Sequence, residues 1–244
     1  MSRVATLLYG VVCYLIFLAV YAYLVGFLWS VGVPKAINDG APSGALALLC
    51  DLGLIALFGL QHSVMARPSF KSLWITIVPP AAERSTYVLL TSGALALLFW
   101  GWQPMPAALW DVRGTALGAV LTGCSAAGWI LMAVSTFLID HFALFGLKQT
   151  LFAFLRRELL EPEFMIRGPY RVTRHPLMLG FLIAVWTTPW MTGGHLLFAA
   201  AMTAYMLIGL HHEERDLLAA HGEAYAQYQR ETPMLLPRLL RARR

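Results

Sequence analysis

Residues 4–30, VATLLYGVVCYLIFLAVYAYLVGFLWS, contain no charged side chain. A bilayer core about 30 Å thick needs roughly 20 helical residues per crossing, so this one stretch is long enough to span it. Further apolar stretches follow at about 44–66, 85–102, 115–137, 177–190 and 195–211. Turn signals separate them: Gly32-Val33-Pro34, Pro42-Ser43-Gly44, Pro79-Pro80, Pro104-Met105-Pro106 and Gly193-Gly194. The 244 residues are 59% hydrophobic and 13% charged, where a soluble domain carries about 25% charge. A soluble globule, a disordered chain and a secreted disulfide scaffold are thereby excluded. The expected fold is an all-α polytopic membrane bundle of five to six transmembrane helices, the short fifth stretch pairing with the sixth as a hairpin.

The net charge of +5 could suggest nucleic acid, but in a membrane protein basic residues collect on the cytoplasmic side. With the N-terminus cytoplasmic and six crossings, every Lys and Arg except Lys35 and Arg113 falls on that side. Both termini are therefore expected in the cytoplasm, in a bacterial inner membrane, with the lipid bilayer as partner and no nucleic acid. Cys13, Cys50 and Cys124 stand singly in apolar runs, without the spacing of a disulfide framework or a zinc site. Composition divides the chain into N-terminal transmembrane helices over 1–137 and a more polar region over 138–244. Residues 138–175 and 211–237 hold all the histidines but His62 and His195.

The most informative polar run is Arg167-Gly168-Pro169-Tyr170-Arg171-Val172-Thr173-Arg174-His175-Pro176, with Gly180 four residues on. Pro176 suits the first position of a helix, which puts His175 at the N-cap. The unpaired N–H groups of a helix start suit a carboxylate or phosphate. Gly180 would let another backbone or a ligand approach closely. A second run, His211-His212-Glu213-Glu214-Arg215-Asp216, is followed by His221-Gly222, Tyr225 and Tyr228. At helical spacing His211, Glu214, His221 and Tyr225 share a face, and acids beside aromatic rings suit a cation. The bland readings are a basic interfacial loop and a solvated helix end. No metal is expected, because Asp216 stands where an HExxH helix needs its second histidine.

Taken in order, Gly-Pro-Tyr-Arg, Arg-His-Pro, Gly180, Glu-Glu-x-x-Leu and Gly-x-x-Tyr-x-x-Tyr resemble the integral-membrane methyltransferases of the isoprenylcysteine carboxyl and phospholipid type. That resemblance implies a cytosolic site for S-adenosylmethionine within 138–244. Arg174 and His175 would hold its methionine end and Glu213 and Glu214 its ribose or amino group, with Tyr170, Tyr225, Tyr228 and Gly180 shaping the pocket. Gln61-His62-Ser63-Val64-Met65-Ala66-Arg67, Glu83-Arg84-Ser85-Thr86-Tyr87, Trp100-Gly101-Trp102-Gln103-Pro104 and the 140–149 segment extend the likeness to the branch containing NnrU-like proteins and methanethiol S-methyltransferases. Leu144-Phe145-Gly146-Leu147-Lys148-Gln149 and the length favour the latter, with departures from the branch pattern at Ala143 and Lys148. The implied acceptor is a small volatile thiol, methanethiol, giving dimethyl sulfide and S-adenosylhomocysteine.

A thiol is methylated as its thiolate, so a base is needed. His62 and His141 are the candidates, with Asp140 as orienting group or as a base itself; capping histidines without chemistry are the bland reading. Glu83 with Arg84 is expected to be a structural ion pair. The competing readings are a methyltransferase for a larger thiol or lipid, an NADPH-dependent membrane reductase, and a non-enzymatic NnrU-like membrane protein.

Overall fold

The computed structural model describes residues 2–41, 44, 46–159 and 165–236. The expected turn at Pro42-Ser43-Gly44 and the end of the chain lie partly outside them. Ten helices are described: α1 Arg3–Trp29, α2 Leu46–Ala66, α3 Pro68–Trp74, α4 Pro80–Gly101, α5 Ala116–Ile139, α6 His141–Leu144, α7 Leu147–Leu155, α8 Pro176–Trp186, α9 Gly193–His221 and α10 Glu223–Glu231. Among them α1, α2, α5 and α9 are long and apolar enough to cross a membrane. Where five to six crossings are expected, four helices thus meet the requirement. α4 has 22 residues, but it opens at Pro80 and takes Glu83 and Arg84 into its first turns. α8 has 11 residues, about 16 Å of helix, half of a bilayer core.

The helices group into two compact units, and both cut across the division at 137/138. Unit 1 comprises Met1–Asp111, Asp140–Leu160 and Trp190–Ala201. In it α1 packs on α4 and α7, and α2 packs on α4. Its core is aromatic: Phe27, Trp102 and Phe198 are fully buried, with Trp102 edge-on to both phenylalanines at 6.0 Å. Lys35 Nζ donates to the carbonyls of Trp100 (2.6 Å) and Trp102 (2.9 Å), placing a cation at the negative end of α4. Prolines at 104 and 106 prevent α4 from continuing. The chain then forms an element that an all-α expectation lacks, an antiparallel ribbon of β1 Ala108–Asp111 on β2 Trp190–Thr192.

Unit 2 comprises Val112–Ile139, Glu161–Pro189 and Met202–Arg244. α5 and α8 form its closest helix pair. A Cβ added to Gly128 would lie 2.5 Å from the Ala184 nitrogen, and one on Gly180 would lie 2.7 Å from the Gly128 carbonyl oxygen. The two backbones thus touch through facing glycines, and Ser125 Oγ adds a bond to the Ala184 carbonyl (2.8 Å). Trp186 Nε1 donates to Thr203 Oγ1 (3.0 Å), tying α8 to the following helix.

Backbone on both sides of this crossing leaves an added methyl nowhere to go. Gly180→Ala is expected to cost about 1–3 kcal/mol, the usual penalty of overpacking. Gly123→Ala, with nothing within 4 Å of its added Cβ, is expected to leave stability unchanged or raise it slightly. Thermal unfolding of both variants in detergent checks the contrast.

Candidate active site

In unit 2 the chain reaches α8 through a 3-10 turn, Gly168–Arg171, and then the residues leading to His175. Pro176 occupies the first turn of α8 and His175 is its N-cap. The segment before α8 does not stand alone. Arg174 N–H donates to the Pro233 carbonyl (2.9 Å), His175 N–H to that of Met234 (3.2 Å), and Thr173 Oγ1 to the same Met234 oxygen (2.9 Å). Residues 233–234 are thereby strapped against the residues that open α8.

One carboxylate gathers the side chains here. Arg174 grips Glu214 with two bonds, Nε to Oε1 at 2.6 Å and Nη2 to Oε2 at 2.8 Å. His175 Nε2 lies 3.0 Å from Oε1, the Tyr225 hydroxyl donates to Oε1 (3.3 Å), and Gln229 Nε2 donates to Oε2 (3.1 Å). Arg174 Nη1 also donates to the carbonyls of Gln229 (3.1 Å) and Thr232. Burial opposes the guanidinium charge, but the bonds and charge of Glu214 outweigh burial and raise its pKa. The Tyr228 hydroxyl donates to the Tyr170 carbonyl (2.5 Å), which fixes the 3-10 turn to α10. Burial, and after it neighbouring charge, pushes the phenols of Tyr170 and Tyr225 far above their ordinary range and Tyr228 up to about 12. All three remain protonated donors.

The two adjacent glutamates have separate environments. Glu214 has 15% of its side chain exposed and its oxygens are saturated with donors. Glu213 is half-exposed, 3.9 Å from His175 Nδ1, and its charge acts on the Tyr170 phenol. An accessible carboxylate beside a phenol and an imidazole suits a cation or a pair of hydroxyls. Arg174, expected with His175 to hold the methionine end of the donor, is bound in this structure to Glu214. Gly180 lies in the α5–α8 crossing, its open side filled by Gly128. Tyr225 reaches Glu214 after a turn at Gly222 (φ +55°) and not along a shared helical face. Gln229 is a participant that sequence reasoning missed; its place beside Tyr228 is the signal that could have found it.

In unit 1 the expected bases each pair with a tyrosine. The Tyr87 hydroxyl lies 3.0 Å from an imidazole nitrogen of His62, and the rings are 5.2 Å apart. His141 Nε2 lies 2.8 Å from the Tyr14 hydroxyl, with Phe142 and Phe145 edge-on to its ring. Burial lowers the pKa of His141 below that of an ordinary imidazole. Asp140 is occupied elsewhere: it caps α6 by accepting from Ala143 N–H (3.2 Å) and is ion-paired with Lys148. Arg84, expected to pair with Glu83, donates from Nε to the Leu144 carbonyl (2.8 Å) and lies over the Tyr87 ring. Among the described residues no three His, Cys, Asp or Glu side chains come together as a metal site.

The NnrU protein family matches residues 52–241, and the chain belongs to it. Its relatives include "Methanethiol S-methyltransferase 2" of Bradyrhizobium diazoefficiens, 49% identical over 100% of this chain and 94% of that one. "Methanethiol S-methyltransferase" of Mycobacterium tuberculosis is 49% identical over 97% of this chain and 98% of its own length. "Nurim" of Sus scrofa is 30% identical over 84% of this chain and 83% of its own. No solved structure matches.

Removing Glu214 leaves the Arg174 guanidinium, 9% exposed, without its counter-charge. Glu214→Ala is expected to cost about 3–5 kcal/mol, as for other broken buried ion pairs. Glu213→Ala, at a half-exposed position, is expected within about 0.5 kcal/mol of wild type. Thermal unfolding of the two variants side by side measures the difference.

Proposed function

We propose that this integral membrane protein is a methyltransferase that transfers a methyl group from S-adenosylmethionine to the sulfur of methanethiol, releasing dimethyl sulfide and S-adenosylhomocysteine. The observation that carries the reading is its near-full-length kinship with proteins named for that reaction. The chemistry of unit 2 supports the donor: Glu213 offers an accessible carboxylate next to the protonated phenol of Tyr170. When bound, S-adenosylmethionine supplies a methyl group on a positively charged sulfur. Glu213 and Tyr170 hold its ammonium or ribose hydroxyls, and Tyr225 and Tyr228 serve as walls. Arg174, His175 and Glu214 keep these groups in place.

Methylation requires the acceptor sulfur as thiolate. His62 is assigned the proton, its ring held by the Tyr87 hydroxyl, and His141 is the second candidate. Burial keeps His141 neutral to lower pH than a free imidazole, so it too can accept a proton near neutrality. Asp140 and Lys148 hold the turn that presents His141.

The basic-residue bias supports a bacterial inner-membrane setting with both termini and the chemistry at the cytoplasmic face. In that arrangement α4 is a fifth crossing and α8 with α9 forms the final hairpin.

The test is headspace gas chromatography of detergent-purified protein given S-adenosylmethionine and methanethiol. Dimethyl sulfide is expected from wild type. His62→Ala is expected to bind the donor normally and to lose about 100-fold or more in kcat, the usual worth of a general base. The deficit is expected to be greatest at low pH, where free thiolate is scarce, and to shrink as pH rises. No dimethyl sulfide from folded wild type overturns the reading, and an unchanged rate and pH profile in His62→Ala overturns the assignment of the base.

A further inference from the structure

The start of α4 carries a cation that the proposed chemistry leaves unused. Arg84 is half-buried, and its Nε is taken by the carbonyl of Leu144, the last residue of α6 (2.8 Å). Its guanidinium carbon lies 5.0 Å from the centre of the Tyr87 ring, whose hydroxyl meets His62. The imidazole of His62 lies 5.2 Å from that same ring. Guanidinium and assigned base thus border one aromatic side chain, and the charge of Arg84 acts on His62. The backbone here is closely fixed. Ser85 Oγ donates to the Gly146 carbonyl (3.2 Å), and a Cβ on Gly146 would lie 2.5 Å from the Ser85 nitrogen.

A charge withdrawn from water is ordinarily paired, because burial without a partner is costly. Among the described residues no carboxylate pairs with Arg84, the adjacent Glu83 included, and Nη1 and Nη2 donate to no protein acceptor. The helices packed on α4 offer none: α1 and α7 contain no acid, and Asp51 of α2 accepts from Gln103 N–H beyond the far end of α4. The other titratable groups on these elements are engaged elsewhere. On α1, Tyr9 pairs with Thr86, with Cys13 at its hydroxyl, and Tyr14 pairs with His141. Lys148 on α7 is paired with Asp140. What remains is a guanidinium with two open donor groups beside a base, which suits a ligand that becomes an anion by giving up its proton there.

We infer that Arg84 is a catalytic residue that holds the methyl acceptor as its thiolate, the guanidinium donating to the sulfur while His62 takes the proton. The inference rests on the thiol methylation proposed above and adds a group to it. A cysteine-like thiol has a pKa of about 8.5 and a simple alkyl thiol a higher one, so near neutrality the acceptor arrives protonated. Its S–H bond breaks with the electron pair left on sulfur, the proton passing to the imidazole and the negative charge resting against Arg84. That pair then forms the new carbon–sulfur bond, and the sulfonium–methyl bond breaks with its electrons kept by the donor sulfur. Dimethyl sulfide is neutral, so guanidinium and imidazolium are left as like charges and the proton is driven off to water. Lowering a thiol's pKa costs some nucleophilicity, but below that pKa the gain in thiolate is larger.

The pH dependence of dimethyl sulfide formation, with each substrate varied in turn, tests the inference. Arg84→Gln keeps a donor for the Leu144 carbonyl and removes the charge; Arg84→Lys keeps the charge. A neighbouring cation lowers an acid's pKa by about 1–3 units. Arg84→Gln is therefore expected to lose about tenfold or more in kcat near neutrality, with the acidic limb of its kcat profile moved up by about one unit or more. The KM for S-adenosylmethionine is expected to stay at the wild-type value, and Arg84→Lys to recover part of the loss. If Arg84 only ties α4 to α6, the two variants behave alike and the limb stays in place, which overturns the inference. Should Arg84→Gln fail to fold, thiocyanate added to wild type decides. This small anion is expected to compete with methanethiol and not with S-adenosylmethionine, and no such competition overturns the inference. Folded wild type that makes no dimethyl sulfide brings down the methylation reading and this inference with it. Active wild type with an indifferent Arg84→Gln brings down only the inference.

Discussion

The Glu214 carboxylate is the interaction on which the unit 2 site depends. A buried charge without partners costs several kcal/mol, so the chain must bring it donors. They come from separate places: Arg174 and His175 precede α8, while Tyr225 and Gln229 sit on α10. To satisfy one side chain, the chain must turn at Gly222 and return along α9. The same guanidinium then catches the Gln229 and Thr232 carbonyls, and the segment 232–234 is pinned to residues 173–175. Saturating Glu214 also leaves Glu213, one residue away, as the accessible acid.

In unit 1 the polar side chains follow a similar rule on a smaller scale. His62 with Tyr87 and His141 with Tyr14 each place an imidazole against a phenol. Low-dielectric surroundings strengthen such hydrogen bonds and penalise unpaired groups. Lys148, which departs from the expected family pattern, has a local purpose: it neutralises the Asp140 that caps α6.

Much of this architecture was legible in the residues. Long apolar stretches announced α1, α2, α5 and α9, because a crossing needs about 20 predominantly apolar residues. Pro176 marked the start of α8, and Gly-x-x-Tyr-x-x-Tyr marked residues that converge on the site. Four of the expected five to six crossings have helices long and apolar enough to span, and the helix after Pro176 ends at Trp186. The β1–β2 ribbon escaped notice because its pairing joins residues about 80 positions apart, a relation that local patterning does not carry. Two placements could not be read from local sequence. Arg174 looked like an anion ligand and Gly180 like a ligand-approach glycine, yet each is taken up by another part of the chain, Glu214 and Gly128 respectively. Residue type reports what a side chain can do; only packing reports whether a neighbour has already claimed it.

The separate duties of the two neighbouring glutamates are tested most directly by isothermal titration of S-adenosylmethionine into wild type and Glu213→Ala in the same detergent. Wild type should bind, and the variant, folded as well as wild type, should bind at least about tenfold more weakly, as expected for loss of a charged hydrogen-bond partner. Binding by Glu213→Ala as tight as wild type, or none by wild type, would contradict the placement of the methyl donor at the accessible glutamate.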